Sequence, residues 1–198
     1  LFQITGGTAV IFFSILLGFR NEYIAYFTTI TPQMTFRIFI SSILWFSATY
    51  TSFKALNTIA ASKYSIIETL SPLVSIVLAL IFLGETLTQQ QLIGTLLILI
   101  SVFAVVYDKE TKLSHFSKGE VIALLSVTLS GLALVNDKGI YQTLALSPTL
   151  AILFILPGLL GILVKPTELK KLKIIKKNTE IIKQLLIMSM IWGMAAIL

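Results

Sequence analysis

The stretch "YSIIETLSPLVSIVLALIFLGETLT", Tyr64 to Thr88, decides the fold. It is almost continuously apolar, yet it carries Glu68 and Pro72 near its start and stops at Gly84-Glu85. A soluble core helix avoids an interior proline, which removes one backbone hydrogen bond and crowds the preceding turn. A simple membrane anchor avoids a glutamate, which is expensive in hydrocarbon unless it faces a bundle interior or a cavity. A helix packed among others in a membrane tolerates both, because neighbouring helices and Ser/Thr side chains satisfy the freed backbone groups. Ser71 and Ser75 stand beside Pro72 for that purpose. The expectation is one membrane helix, kinked at Pro72 well inside it and turned over at Gly84, where glycine supplies the unusual backbone of a tight turn. Glu85 then reads as a capping or interfacial carboxylate at the start of the next helix.

The rest of the chain agrees. Of 198 residues 56% are hydrophobic and only 12% charged, about half the charged share of a soluble domain, and the mean hydropathy is +0.94. Apolar segments run over about 1–19, 36–59, 62–83, 90–107, 121–145 and 149–164, and from about 184 onward. Runs approaching ~20 apolar residues are the length of a membrane-crossing helix, and barrel strands would alternate polar and apolar residues instead. The fold class is therefore all-α, a polytopic membrane helix bundle with about seven helices. Leu1 to Phe19 lacks the basic start and small-residue end of a signal peptide. The start at Leu1 and the apolar run reaching Leu198 read as a fragment of a longer protein.

Composition also excludes functions. There is no cysteine, hence no disulfide framework, thiolate metal site or thiol nucleophile. The single histidine, His115, lies in a polar stretch, and neither HExxH nor GxSxG occurs. No enzyme activity, metal or cofactor is expected. The net charge is +6, and seven of the fifteen Lys/Arg lie between Lys165 and Lys183. In so apolar a chain the partner of such a patch is anionic lipid headgroups rather than nucleic acid. That segment reads either as an amphipathic helix on the membrane surface, with Leu169, Leu172, Ile175 and Ile182 near one face, or as a solvated charged loop.

Sliding the chain by 147 residues lays "FRIFISSILWF" (Phe36–Phe46) over "KQLLIMSMIWG" (Lys183–Gly193), with Trp45 on Trp192. The connectors before them, Arg20–Thr35 and Lys165–Ile182, are similar in length. An internal duplication with an odd number of helices per copy places the copies in opposite orientations, the arrangement of many secondary transporters.

Residues Phe53–Val106, "FKALNTIAASKYSIIETLSPLVSIVLALIFLGETLTQQQLIGTLLILISVFAVV", resemble the EamA-like domain of the drug/metabolite transporter superfamily. The resemblance rests on Ala55-Leu56, Ala60-Ala61, Ser71-Pro72, Gly84-Glu85 and Gln91-Leu92-x-Gly94. "KGEVIALLSVTLSGLALVNDKGIYQTLALSP" (Lys118–Pro148) looks like the opening helix of a second copy. The resemblance implies two inverted repeats of five helices each, with residues 1–111 as the first repeat lacking its first helix and residues 118–198 as a truncated second. Thr86 stands where that family often has Arg, Ser101 where it usually has Gly, and Gln3 and Thr5 lie where an Arg is common. The family's usual layout puts the Lys165–Lys183 connector outside the cell, whereas the positive-inside rule puts it in the cytoplasm.

The implied function is transport of small organic metabolites across the plasma membrane by alternating access. The alternative is a membrane scaffold or partner-binding subunit. Glu68 is the sharpest candidate for the pathway, because an intramembrane ionisable residue is a functional hypothesis by default. Lys54 lies as far before the turn near Ala61 as Glu68 lies after it, so antiparallel packing is expected to bring them level. The pair then either lines the pathway, with the carboxylate binding a proton or a cationic group, or is a neutralised structural pair. Asn57 and Ser71 flank it. Asn136-Asp137-Lys138 interrupts the fifth segment. If the helix continues, Lys138 could meet an anionic substrate with Asp137 or Asn136 holding it; if it ends there, the triplet is interfacial. Trp45 and Tyr50 read as packing aromatics.

Overall fold

The computed structural model describes residues 2–84, 86–106, 117–164, 166 and 179–195. Among these the chain is a membrane helix bundle with no strand, as backbone placed in hydrocarbon must be if it is to satisfy its own polar groups. The helices are α1 (Phe2–Leu16), α2 (Arg20–Thr29), α3 (Pro32–Leu56), α4 (Ala61–Glu68), α5 (Ser71–Leu83), α6 (Gln89–Val106), α7 (Lys118–Tyr141), α8 (Leu146–Val164) and α9 (Thr179–Ala195). Ala61–Leu83, Lys118–Tyr141 and Leu146–Val164 are each long and apolar enough to cross a membrane, and α1 with α2 passes as one broken span bent by 114°.

Helix ends follow local chemistry. At α3 the Thr31 hydroxyl accepts from the Met34 N–H at 3.3 Å, and Pro32 takes the first position, where its missing donor costs nothing. α6 opens on a reciprocal cap: Thr88 N–H donates to Gln91 Oε1 at 2.9 Å and Gln91 N–H to Thr88 Oγ1 at 3.3 Å. α7 repeats the device with Ser117 and Glu120, at 2.6 and 3.3 Å, each arrangement satisfying two otherwise orphaned donors. Gly84 closes α5 in the left-handed region, φ 63° and ψ 24°. Gly84→Ala is therefore expected to destabilise the fold by about 1 kcal/mol and Gly84→Asn by less, read as midpoints of thermal unfolding. Open space surrounds Gly84, so the effect would come from backbone strain and not from a clash.

The quoted stretch forms the expected single span, Ala61–Leu83. Its regular hydrogen bonding is interrupted at Thr69-Leu70, which keep helical backbone, and Pro72 sits in the first turn of α5. Proline at 72 has no N–H to donate to the carbonyl of Glu68. The last turn of α4 tightens instead, with Leu70 N–H donating to Ile67 O at 3.0 Å. Arg20–Thr29, expected as a connector, is a helix of its own, reached through Gly18 at φ 88°.

The chain gathers into two compact units, Leu1–Phe46 with Asp137–Leu198, and Ser47–Asn136. Their boundaries fall inside α3 and α7 and differ from those of the two expected repeats. In the first unit α1 and α8 cross on glycine. A Cβ built at Gly7 would lie 2.5 Å from Ile155 Cγ1 and 2.9 Å from the Ala151 carbonyl oxygen, and one at Gly158 2.6 Å from Ile4 Cγ1. Early α8 thus meets later α1 and late α8 meets early α1, so the two run antiparallel. α9 runs parallel to α1: Thr5 Oγ1 lies 2.7 Å from Ser189 Oγ, and Gly193 packs on Ala9. Small residues and cross-helix hydroxyls hold membrane helices where the hydrophobic effect does not. Tyr26, Ile38, Ile140, Leu144 and Leu153 form the apolar cluster of this unit.

In the second unit Ala55, Tyr64 and Ala123 cluster. Gly119 lets the start of α7 approach Thr58 and Ile59, and Lys63 pairs with Glu120 at 2.5 Å.

Candidate functional site

Two polar groupings stand out in otherwise apolar surroundings. The first lies in the Ser47–Asn136 unit, at the interruption between α4 and α5. A groove of about 700 Å³ opens there, lined by Ser65, Glu68, Thr69, Ser71, Pro72, Ser75, Ile76 and Leu134. Thr69 and Ser75 return hydrogen bonds to the backbone, to Ile66 O at 2.5 Å and Ser71 O at 2.9 Å. The Glu68 carboxylate carries the only formal charge among the lining residues. Four hydroxyls, one carboxylate and an apolar wall suit a small solute with hydrogen-bonding groups.

The second lies in the other unit, at the C-terminal end of α7. Asp137 is 3% exposed. The Trp45 Nε1–H donates to its Oδ2 at 2.8 Å, and the fully buried Ser41 hydroxyl bonds its Oδ1. Ser41 and Trp45 are four residues apart on α3, hence on one face. Arg37, four residues before Ser41, continues that face, and a Cβ at Gly139 would lie 2.7 Å from Arg37 Nη1. Glycine at 139, two residues after Asp137 on α7, makes room for the guanidinium.

Of the expected site residues, Glu68, Ser71 and Pro72 come together in the groove. Lys54 and Asn57 do not join them. Both are exposed, Asn57 in the turn after α3. The expected level pairing of Lys54 with Glu68 does not form among the described residues, where Lys63 pairs with Glu120 and Lys183 with Glu180. The reason is helix rotation. α3 meets α4 through Ser52, whose hydroxyl lies 2.6 Å from Tyr64 Oη. Two residues further on, Lys54 is turned by about 200° to the far side of α3. Helix α7 runs through Asn136-Asp137-Lys138 to Tyr141, burying Asp137 and leaving Lys138 exposed. Gly84 ends α5, while Glu85 and most of Lys165–Lys183, with its suggested lipid contact, lie outside the described residues. Sequence reasoning assigned Trp45 to packing and passed over Ser41; the available signal was the i, i+4 spacing of Arg37, Ser41 and Trp45 within an apolar run.

An all-helical chain with several membrane-length apolar helices, one of them broken beside a carboxylate-bearing groove, has the features of a membrane transporter. The family model of the EamA-like transporter family matches residues 2–107, more than half of the chain. The chain belongs to that family, within the drug/metabolite transporter superfamily, and is an integral membrane protein. No curated protein and no solved structure matches it.

Proposed function

We propose that the chain is a multi-pass transporter of the plasma membrane, without enzymatic activity, that moves small organic metabolites by alternating access between two inverted repeats, 1–111 and 118–198. One observation carries the reading: α1 and α8, which correspond at the offset of 147 residues, cross antiparallel on glycine. Counterpart segments of an inverted duplication run in opposite directions. The same offset carries the start of α3 at Pro32 onto the start of α9 at Thr179. It also carries Ser42 onto Ser189. Both serines are buried, and each donates to the carbonyl four residues earlier, Ile38 O at 2.8 Å and Leu185 O at 2.7 Å.

The substrate pathway in this reading includes the groove at Glu68 and Ser71, Asp137 with Lys138, and Lys54 and Asn57 at the end of α3. The protein reconstituted in liposomes loaded with a metabolite mixture is expected to deplete one chemical class selectively against empty liposomes, followed by mass spectrometry. Uniform retention of the mixture by well-folded protein would favour a membrane scaffold instead. Glu68→Gln keeps the shape of the side chain and removes its charge. It is expected to slow transport about tenfold with expression intact, the effect of losing one charge-assisted contact.

A further inference from the structure

We infer that Asp137 is a site at which this protein reversibly binds a proton within the membrane. Two side chains hold its carboxyl group, Trp45 and Ser41. The Trp45 indole N–H can only donate, so Oδ2, which receives it at 2.8 Å, stays an acceptor in every state of the site. Ser41 is different, because a hydroxyl both donates and accepts. Toward the carboxylate it donates to Oδ1; toward the carboxylic acid it accepts from the Oδ1 proton. Rotation of one hydroxyl therefore keeps the Ser41–Oδ1 hydrogen bond with or without the proton, and neither of the two bonded side chains has to move. Ser41 is fully buried, so water does not compete for that role.

Neither partner is charged, unlike a structural ion pair, which fixes its carboxylate in one state. Of the ionisable groups in this unit, Tyr141 on α7 interacts with Asp137, Arg37 on α3 lies against Gly139, Lys138 on α7 is exposed, and α2 carries Arg20, Glu22, Tyr23 and Tyr26. α1 and α8 bring no ionisable side chain. On α9, Glu180 and Lys183 pair with each other at 3.3 Å. Among the residue types facing the site, a carboxyl group is the one that ordinarily titrates below neutral pH. Proton binding follows RCOO⁻ + H⁺ ⇌ RCOOH, with the proton on Oδ1 and the Ser41 hydroxyl reversed.

The inference takes its meaning from the transporter reading, where a proton bound inside the membrane is available for coupling, but its test needs no substrate. Trp45 is the built-in reporter, since its N–H loses a charged acceptor on protonation. The chain contains two tryptophans, so the measurement uses Trp192→Phe protein in lipid nanodiscs. Trp45 emission titrated over about pH 4 to 9, the range open to perturbed carboxyl groups, is expected to show one transition. Asp137→Asn, which keeps both hydrogen bonds, is expected to abolish it. Ser41→Ala is expected to displace the midpoint by about one pH unit. If Asp137→Asn does not fold, the Ser41→Ala displacement and a carboxylic-acid infrared band that shifts with ¹³C-labelled aspartate decide the matter. A flat emission profile, or a transition unchanged by Asp137→Asn or by Ser41→Ala, would overturn the inference. Absence of metabolite efflux from the same preparation would overturn the transporter reading alone.

Discussion

Gly7→Ala is expected to destabilise the protein by about 1–3 kcal/mol, the range for a methyl group forced into a filled contact. Gly6→Ala, one residue away, is expected to leave stability unchanged or slightly raised. The added methyl at Gly7 meets Ile155 Cγ1 at 2.5 Å and the Ala151 carbonyl oxygen at 2.9 Å. The oxygen belongs to the backbone of α8, so relief requires the whole helix to retreat. At Gly6 the nearest atoms are Phe154 Cδ1 and Cε1 at 3.5 and 3.8 Å, ordinary contact distances. Alanine there also gains up to ~1 kcal/mol in helix propensity. Gly7→Leu is expected to abolish folded protein. Fluorescence-detected size exclusion after a temperature series separates the two positions. Equal tolerance of alanine at Gly6 and Gly7 would mean that α1 and α8 do not cross where these distances put them.

The second large effect is expected at the buried carboxylate. Asp137→Ala strands the Trp45 N–H and the Ser41 hydroxyl, and Trp45→Phe strands Oδ2. Each is expected to destabilise by about 1–3 kcal/mol, as for a buried polar group left without a partner. Membrane proteins fall in the lower part of such ranges, because the unfolded state within the bilayer also finds partners. Asp137→Asn is expected to be nearly neutral, its carboxamide oxygen accepting from Trp45 and its amide donating to Ser41. The decisive quantity is the double-mutant cycle. If Trp45 and Asp137 bond directly, the Asp137→Ala/Trp45→Phe protein loses less than the sum of the single losses by about 1 kcal/mol. Additive losses would place the two side chains apart.

The bundle was legible because hydropathy reports the solvent directly. Among the described residues, the apolar runs read from the sequence lie in helices except at some of their ends. What stayed hidden depended on partners distant along the chain. Ser41 and Trp45 approach Asp137 from 96 and 92 residues away, and no local pattern carries that pairing. The Lys54–Glu68 expectation counted residues from the turn but ignored rotation about α3, which Ser52 and Tyr64 fix instead. Arg20–Thr29 escaped because "RNEYIAYFTT" begins with three polar residues and has no apolar stripe; burial of Tyr26 in the cluster of its unit, a tertiary effect, holds that helix. At Pro72 the expected span forms over Ala61–Leu83, with its regular hydrogen bonding interrupted at Thr69-Leu70 just before the proline.

That interruption bears on the lipid the protein lives in. Thirteen residues of α5 rise about 20 Å and eight of α4 about 12 Å. Neither half covers the ~30 Å hydrocarbon core, but together they nearly match it. An unbroken helix meets a thinner or thicker bilayer by tilting as a whole or by deforming the bilayer around it. A span that lacks one backbone hydrogen bond near its middle bends there more readily than an unbroken one when acyl-chain length changes, and that point is where Glu68 and its groove lie.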